Sequence, residues 1–356
     1  MSGGGNGGVA GVGVTGSGGS NAGTGGGAGA AGSFGTGGVA GAAGAGAAGV
    51  TGAGGNAGAG GTAVGGGADP NWAQWPMPNG PVDVAAGAPN PMAYTDNGDG
   101  TVTDKVTGLV WQQAASSTQS TWSNATTSCT TLFSLAHLRW RLPTAIELVS
   151  LLDDGVAAPG PMIDTTAFPG TPASSTFWSS TPVADSNPTP TDAWAVDFGR
   201  GYVSGAGKSA QYYVRCVAVS PSVDPDAGTA PGRYTIAGGT VHDNATKLTW
   251  QQSVTSTKYS WPIAKLYCGG TDLTALGGTG WRLPTNKELL TLVDYTVRGG
   301  SPNIDAAAFP GTPVDLFWTA TPQAGTSPQS AWQVSFNRGN AGTDVADDLY
   351  YVRCVR

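Results

Sequence analysis

The stretch Trp140-Arg141-Leu142-Pro143-Thr144-Ala145-Ile146-Glu147-Leu148 returns about 140 residues later as Trp281-Arg282-Leu283-Pro284-Thr285-Asn286-Lys287-Glu288-Leu289. In both, Leu-Pro closes an extended run. Thr followed three residues on by Glu then spells a capping box, in which two side chains satisfy backbone N–H groups at a helix start. Leu148, Leu151 and Leu152, and Leu289, Leu292 and Val293, give that helix an apolar stripe. A repeat of this period signals duplicated domains. Working outward, Trp111-Gln112-Gln113 recurs as Trp250-Gln251-Gln252, and Tyr213-Val214-Arg215-Cys216-Val217 as Tyr351-Val352-Arg353-Cys354-Val355. Ten of the twelve Trp stand at matched places, which marks them as core: Trp111, Trp122, Trp140, Trp178 and Trp194 against Trp250, Trp261, Trp281, Trp318 and Trp332. The domains are read as residues 93–217 and 232–356, joined by a linker at 218–231 and preceded by a Pro-containing connector at 69–92.

The elements around the repeated helix repeat too. Thr101–Asp104 with 108–111, and 240–242 with 248–250, alternate around turn residues as opening strand pairs. A first helix follows, capped by Thr121 or Ser260, with Trp122 and Cys129, or Trp261 and Cys268, seven residues apart on one face. After the second helix come short aromatic strands at 177–178, 193–198 and 212–217. The fold class is therefore α+β, each domain a small antiparallel sheet with two helices. Residues 179–192 and 320–330 read as long loops, and Arg200-Gly201-Tyr202 and Arg338-Gly339-Asn340 as hairpin tips.

Of the 59 Gly, 32 precede Pro70, and no charged residue appears before Asp69. Residues 1–68 cannot bury enough apolar surface to offset chain entropy, so they read as a disordered tether with a reach of roughly 45 Å. Gly does not fall at every third position and Pro is absent there, which excludes a collagen triple helix. No uncharged stretch is apolar enough to span a bilayer. The net charge of −7 argues against a general nucleic-acid binder. Met1-Ser2-Gly3 lacks the basic start and apolar run of a signal peptide, so an upstream start encoding an export signal, with a lipid-attachment Cys, is expected.

Cys129 and Cys216 lie 87 residues apart and Cys268 and Cys354 lie 86 apart, with no Cys-x-x-Cys and no His cluster beside them. Equal spacing argues for one disulfide per domain rather than a metal or redox site. Such a bridge ties the first helix to the last strand, is worth about 4.5 kcal/mol by chain entropy, and implies an oxidising compartment.

With Trp-Arg-Leu-Pro-Thr-x-x-Glu-Leu, Phe-Trp-(Ser/Thr)-(Ser/Ala)-Thr and Tyr-Val-Arg-Cys-Val in place, each copy resembles the Lcl C-terminal domain family, found at the end of a bacterial collagen-like adhesin. The opening run from Asp96 through Gly100 to Trp111 matches the family's usual start. The Arg-Leu-Pro-Thr-x-x-Glu segment is also similar to one in formylglycine-generating, sulfatase-modifying proteins. The resemblance implies a C-type-lectin-like fold, surface attachment at the cell exterior, and glycan or glycosaminoglycan binding. The Glu-Pro-Asn and Trp-Asn-Asp signatures of calcium-dependent lectins are absent, and so is the adhesin's collagen-like stalk.

Glu147 and Glu288 are the acids a catalytic pair would use, but the capping box accounts for both. Asp153, Asp164, Asp294 and Asp305 recur at turn positions. His137 and His242 do not correspond between copies, so no shared nucleophile system exists and the chain reads as non-enzymatic, with an enzyme of the formylglycine-generating or carbohydrate-active kind as the alternative. Asp96-Asn97-Gly98-Asp99-Gly100 suggests calcium, yet it lacks the spacing of a calcium loop and its counterpart Ile236-Ala237-Gly238-Gly239 has no carboxylate; a hairpin turn explains both. No metal or cofactor is expected. The candidate ligand residues are Arg200, Tyr202, Lys208, Arg338 and Asn340, all able to bind sugar hydroxyls or anions. The first domain carries six basic against ten acidic residues, the second ten against nine. Binding of an acidic extracellular polysaccharide is therefore expected on the second domain, through Lys258, Lys265, Lys287, Arg298 and Arg338. A purely structural surface role is the other non-enzymatic reading.

Overall fold

Before the first copy, Pro81–Ala85 forms a single helical turn, α1, in a computed structural model that describes residues 72–356 apart from 133, 185–189, 220–231, 298–301 and 327–328. The tether expected at 1–68 and most of the linker lie outside the described residues. In the first domain follow β1 (Tyr94–Asp96), β2 (Thr101–Asp104), β3 (Leu109–Gln112), α2 (Trp122–Thr130), α3 (Ala145–Ser150), β4 (Thr176–Pro182), β5 (Asp192–Asp197), β6 (Tyr202–Gly207) and β7 (Val217–Val219). The second domain runs β8 (Tyr234–Ala237), β9 (Thr240–Asp243), β10 (Thr249–Gln251), α4 (Trp261–Gly269), α5 (Asn286–Leu290), β11 (Leu316–Pro322), β12 (Ser330–Ser335) and β13 (Ala341–Val345). Each domain thus has two small antiparallel sheets, ordered β1-β2-β3-β7 and β4-β5-β6 in the first, and β10-β9-β8 and β11-β12-β13 in the second.

The capping boxes form as spelled. Thr144 and Thr285 accept from the backbone N–H of Glu147 and Glu288, whose carboxylates accept from the Thr144 and Thr285 N–H in return. Thr121 and Ser260 do stand at the N-cap positions of α2 and α4, but neither side chain makes a capping hydrogen bond. Both disulfides join the first helix to the final segment, Cys129–Cys216 and Cys268–Cys354, with Cα separations of 5.4 and 5.5 Å.

Three expectations need correction. The loops at 179–192 and 320–330 are shorter than read, because β4 and β11 run on through a register shift to Pro182 and Pro322. The strand expected at 212–217 is two isolated bridges followed by β7, and in the second domain Val355 makes bridges alone. The stretch read as a connector is folded: Ala73, Met77, Asn79 and Asp83 are buried, and α1 lies against β11.

The strand and helix faces explain the core. Trp111 and Trp250 pair with Val102 and Val241 across their hairpins and are fully buried. Arg215 and Arg353, also buried, donate to the carbonyls of Gln112 and Gln113, or Gln251 and Gln252, and to Thr171 or Thr312. Each guanidinium lies over a Phe ring, Phe168 or Phe309, at 4.7 or 4.6 Å. Burial pulls both pKa values down to about 9, still protonated at neutral pH.

One buried apolar cluster runs across both domains, each domain keeps a second cluster of its own around its disulfide, and the contact between the domains is reciprocal. Trp332 of β12 meets Tyr202 edge-on at 5.7 Å and lies where any Cβ on Gly201 would have to be. Trp194 of β5 meets Tyr295 at 5.0 Å and lies over Gly339. Both glycines hold positive φ, +76° and +72°, so each hairpin tip is a bare backbone cradle for the other domain's indole.

Candidate binding site

The repeated carboxylates are spent on structure. Glu147 and Glu288 each take a two-pronged ion pair, from Arg141 at 2.5 and 2.7 Å and from Arg282 at 2.7 Å, in addition to the capping box. Asp153, Asp164, Asp294 and Asp305 accept backbone N–H groups two or three residues on, which fixes their turns. At 96–101, Asp96 and Asp99 accept from Gly98 and Thr101 N–H in the β1–β2 turn, and Gly238 and Gly239 turn the matching β8–β9 hairpin with positive φ. Among the described residues no group of three or more His, Cys, Asp and Glu side chains could hold a metal ion.

The five candidate ligand residues do not form one cluster. Arg200 and Arg338 are exposed at the hairpin tips, beside cradles that the neighbouring domain fills. Tyr202 is half-buried against Trp332, and its hydroxyl lies 3.4 Å from Thr343 Oγ1, so its ring serves the domain contact. Asn340, half-buried on the equivalent tip, accepts no hydrogen bond at Oδ1 among the described residues. Lys208 sits apart, just past the end of β6 remote from the tip, donating to Pro190 O at 2.7 Å with its ammonium 4.4 Å above the Trp122 ring. Of the cations expected to hold a polyanion, Lys287 must be withdrawn, since it is wholly buried where the domains meet. Lys258 is paired with Asp315 at 2.7 Å. Arg298 lies outside the described residues.

A concavity that sequence reading missed lies between α1 and α4, with a volume of about 370 Å³. Val82, Asp83, Ala86 and Ala88 line it from the α1 side, and Lys265, Arg282, Leu283, Pro322 and Gln329 from the second domain, with Asp83 engaged by Thr321 and Arg282 by Glu288. Lys265 is exposed, its Nζ stands 3.6 Å above the Trp261 ring, and no carboxylate pairs with it among the described residues. Partial desolvation against that ring lowers its pKa. The signal in the sequence was present but relational: α2 carries Thr126 where α4 carries Lys265.

The doubled geometry matches a known domain. The family model of the Lcl C-terminal domain matches residues 100–218 and again residues 239–356. The chain belongs to the Lcl C-terminal domain family. No curated protein matches it significantly. Within these two Lcl domains, the residues both copies share (the Arg–Glu pair, the buried Arg over a Phe ring, the disulfide) build the frame. Among those that differ are residues of the domain contact and of the outer face of the first helix. Among the described residues no helix is long and apolar enough to cross a membrane.

Proposed function

We propose that the chain is a non-enzymatic, surface-associated binding protein that holds an acidic extracellular polysaccharide, receiving its uronate or sulfate groups at the Lys265 groove of the second domain. The observation that carries this reading is an exposed cation with no carboxylate paired to it among the described residues, at the edge of a concavity. A charge-assisted hydrogen bond from Nζ would orient the anion, while α1 and Pro322 flank the ring that bears it. Family membership and two disulfides support a location outside the reducing cytoplasm, and the link from α2 or α4 to the final segment is in keeping with a C-type-lectin-like architecture. Non-enzymatic action is supported by the engagement of both repeated Glu in helix caps and ion pairs. Attachment through the Gly-rich tether and an upstream lipid anchor completes the reading.

The test titrates the full chain with heparin and with polygalacturonate at low and high salt, with and without a chelator. Binding should weaken as salt rises, because exposed charges are screened over about 8 Å at physiological ionic strength, and should ignore the chelator. Lys265→Thr, the residue the first domain carries there, should weaken binding several-fold and leave thermal stability unchanged. Binding that weakens with salt but ignores Lys265→Thr would transfer the site to the exposed tips at Arg200 and Arg338, and binding indifferent to salt would overturn the charge reading. No binding to either polymer favours a structural surface protein, a reading supported by the apolar outer face of α4, where Ile263 and Leu266 are 48% and 68% exposed.

A further inference from the structure

At the domain contact three elements meet around Lys287. From α5, Lys287 Nζ donates to Leu152 O of the first domain at 2.8 Å, and Asn286 Nδ2 donates to Asp154 Oδ2 at 3.3 Å. From the segment before the first domain, Asn79 Oδ1 accepts from Thr285 Oγ1 at 2.9 Å, and Asp83 Oδ1 accepts from Thr321 Oγ1 at 2.7 Å. Thr321 Oγ1 in turn accepts from Asn286 N at 2.9 Å. Asn79, Asp83, Asp154, Thr285, Asn286, Lys287 and Thr321 are all buried, and Asp154 Oδ1 accepts no hydrogen bond among the described residues.

Counting charge in this buried junction gives an imbalance. Glu288 is cancelled by Arg282. Lys287 then stands as one cation against the buried carboxylates of Asp154 and Asp83, with half-buried Asp153 and buried Asp104 of β2 adding to the negative side. A buried charge without compensation is strongly unfavourable, so the arrangement closes most favourably with a proton on one carboxyl. We infer that the junction of α1, the turn after α3, and α5 holds one proton in excess and acts as a latch between the domains that mild acid tightens.

Asp154 is where that proton resides. Burial dominates its surroundings and, against the attraction of Lys287, pushes its pKa up to about 7; Asp83 is raised by burial too. A carboxyl with a raised folded-state pKa contributes stability that is full below its ordinary value near 4 and is lost as pH rises to about 7. Lys287 is lowered by burial, so its own titration would act in the opposite direction, with stability rising as pH rises. His137 lies in the loop after α2 and His242 on β9, so neither belongs to the junction.

The test compares thermal midpoints of the full chain and of Asp154→Asn, which fixes the neutral form in nearly the same shape, between pH 4.5 and 8. Asp154→Asn should gain on the parent protein by several degrees as pH rises to about 7 and hold a constant lead above it. Amide exchange over residues 79–88, corrected for intrinsic pH dependence, should accelerate with pH in the parent and not in Asp154→Asn. Asp83→Asn, which relieves the same imbalance, should show the same trend and serves if Asp154→Asn does not fold. A midpoint difference that stays constant across the range, or exchange at 79–88 that is equally pH-dependent in the variants, would overturn the latch.

Discussion

On the outer side of α2 the first domain presents Ser123, Asn124 and Thr127, all exposed; the same positions of α4 hold Pro262, Ile263 and Leu266. Ser120 and Ser128 likewise give way to Tyr259 and Tyr267, whose rings stack at 5.0 Å. Inward, the helices agree: Ala125 and Cys129, and Ala264 and Cys268, are buried in both. Since the same fold tolerates a polar face in one copy, apolar residues in the other are not required for folding. The second domain therefore has a surface to which something outside the frame gives purpose. The first has ordinary solvated threonines and serines. The same logic applies at the domain contact, where Ile146 corresponds to Lys287 and Asp154 to Tyr295. Two halves related by duplication have become complementary instead of equal.

The largest effects should treat the copies alike and would break the comparison if they did not. Trp178→Ala and Trp318→Ala each remove a fully buried indole that donates to a backbone carbonyl, Ser120 O or Tyr259 O. Each should cost about 3–5 kcal/mol in denaturant unfolding. Trp178 and Trp318 sit in their own domains' clusters, but the cluster that spans both domains couples them, so either variant should unfold in a single transition, and two separated transitions would show that the domains are energetically independent. Substitution at the cradles should separate the copies. A Cβ on Gly201 would lie 2.6 Å from Trp332, whereas one on Gly339 would lie 3.2 Å from Val293 and 3.6 Å from Trp194. Both pay for positive φ, about 1–2 kcal/mol, but Gly201→Ala should add overpacking of about 1 kcal/mol or more and so be the worse of the two in chemical denaturation. The smallest contrast concerns the caps. Thr144→Ala loses the cap alone, about 1 kcal/mol, while Thr285→Ala also strands Asn79 Oδ1 and should cost roughly twice that by the same measurement.

Features set by neighbours in sequence were legible, and those set by neighbours in space were not. Thr144 and Glu147 stand three residues apart, so their mutual bonds are implied by spacing. Cys129 and Cys216 were paired through the equal spacing of the second copy. By contrast, Pro81–Ala85 is too short and too weakly patterned to read as a helix, and its place comes from Asp83 finding Thr321. Lys287, one residue before the cap Glu, looks like a solvated helix residue; only the partner domain's Leu152 carbonyl and Asp154 make a buried ammonium tolerable there. Tyr202 likewise reads as a hairpin-tip aromatic until Trp332 is brought against it from 130 residues away. The Lys265 groove required both kinds of information, since one wall belongs to a segment outside either copy.

Each domain carries both parts of the exchange, an indole that leaves and a glycine cradle that receives. A surface patch holding its own complement is what a twofold-symmetric homodimer uses. A chain cut at the linker would expose Trp194 or Trp332 together with a vacant cradle, and either half could satisfy both by pairing with another copy of itself. Joining the halves in one polypeptide turns that association into an intramolecular event at an effective concentration on the order of millimolar, independent of how dilute the protein is. The duplication thus makes the pairing insensitive to dilution.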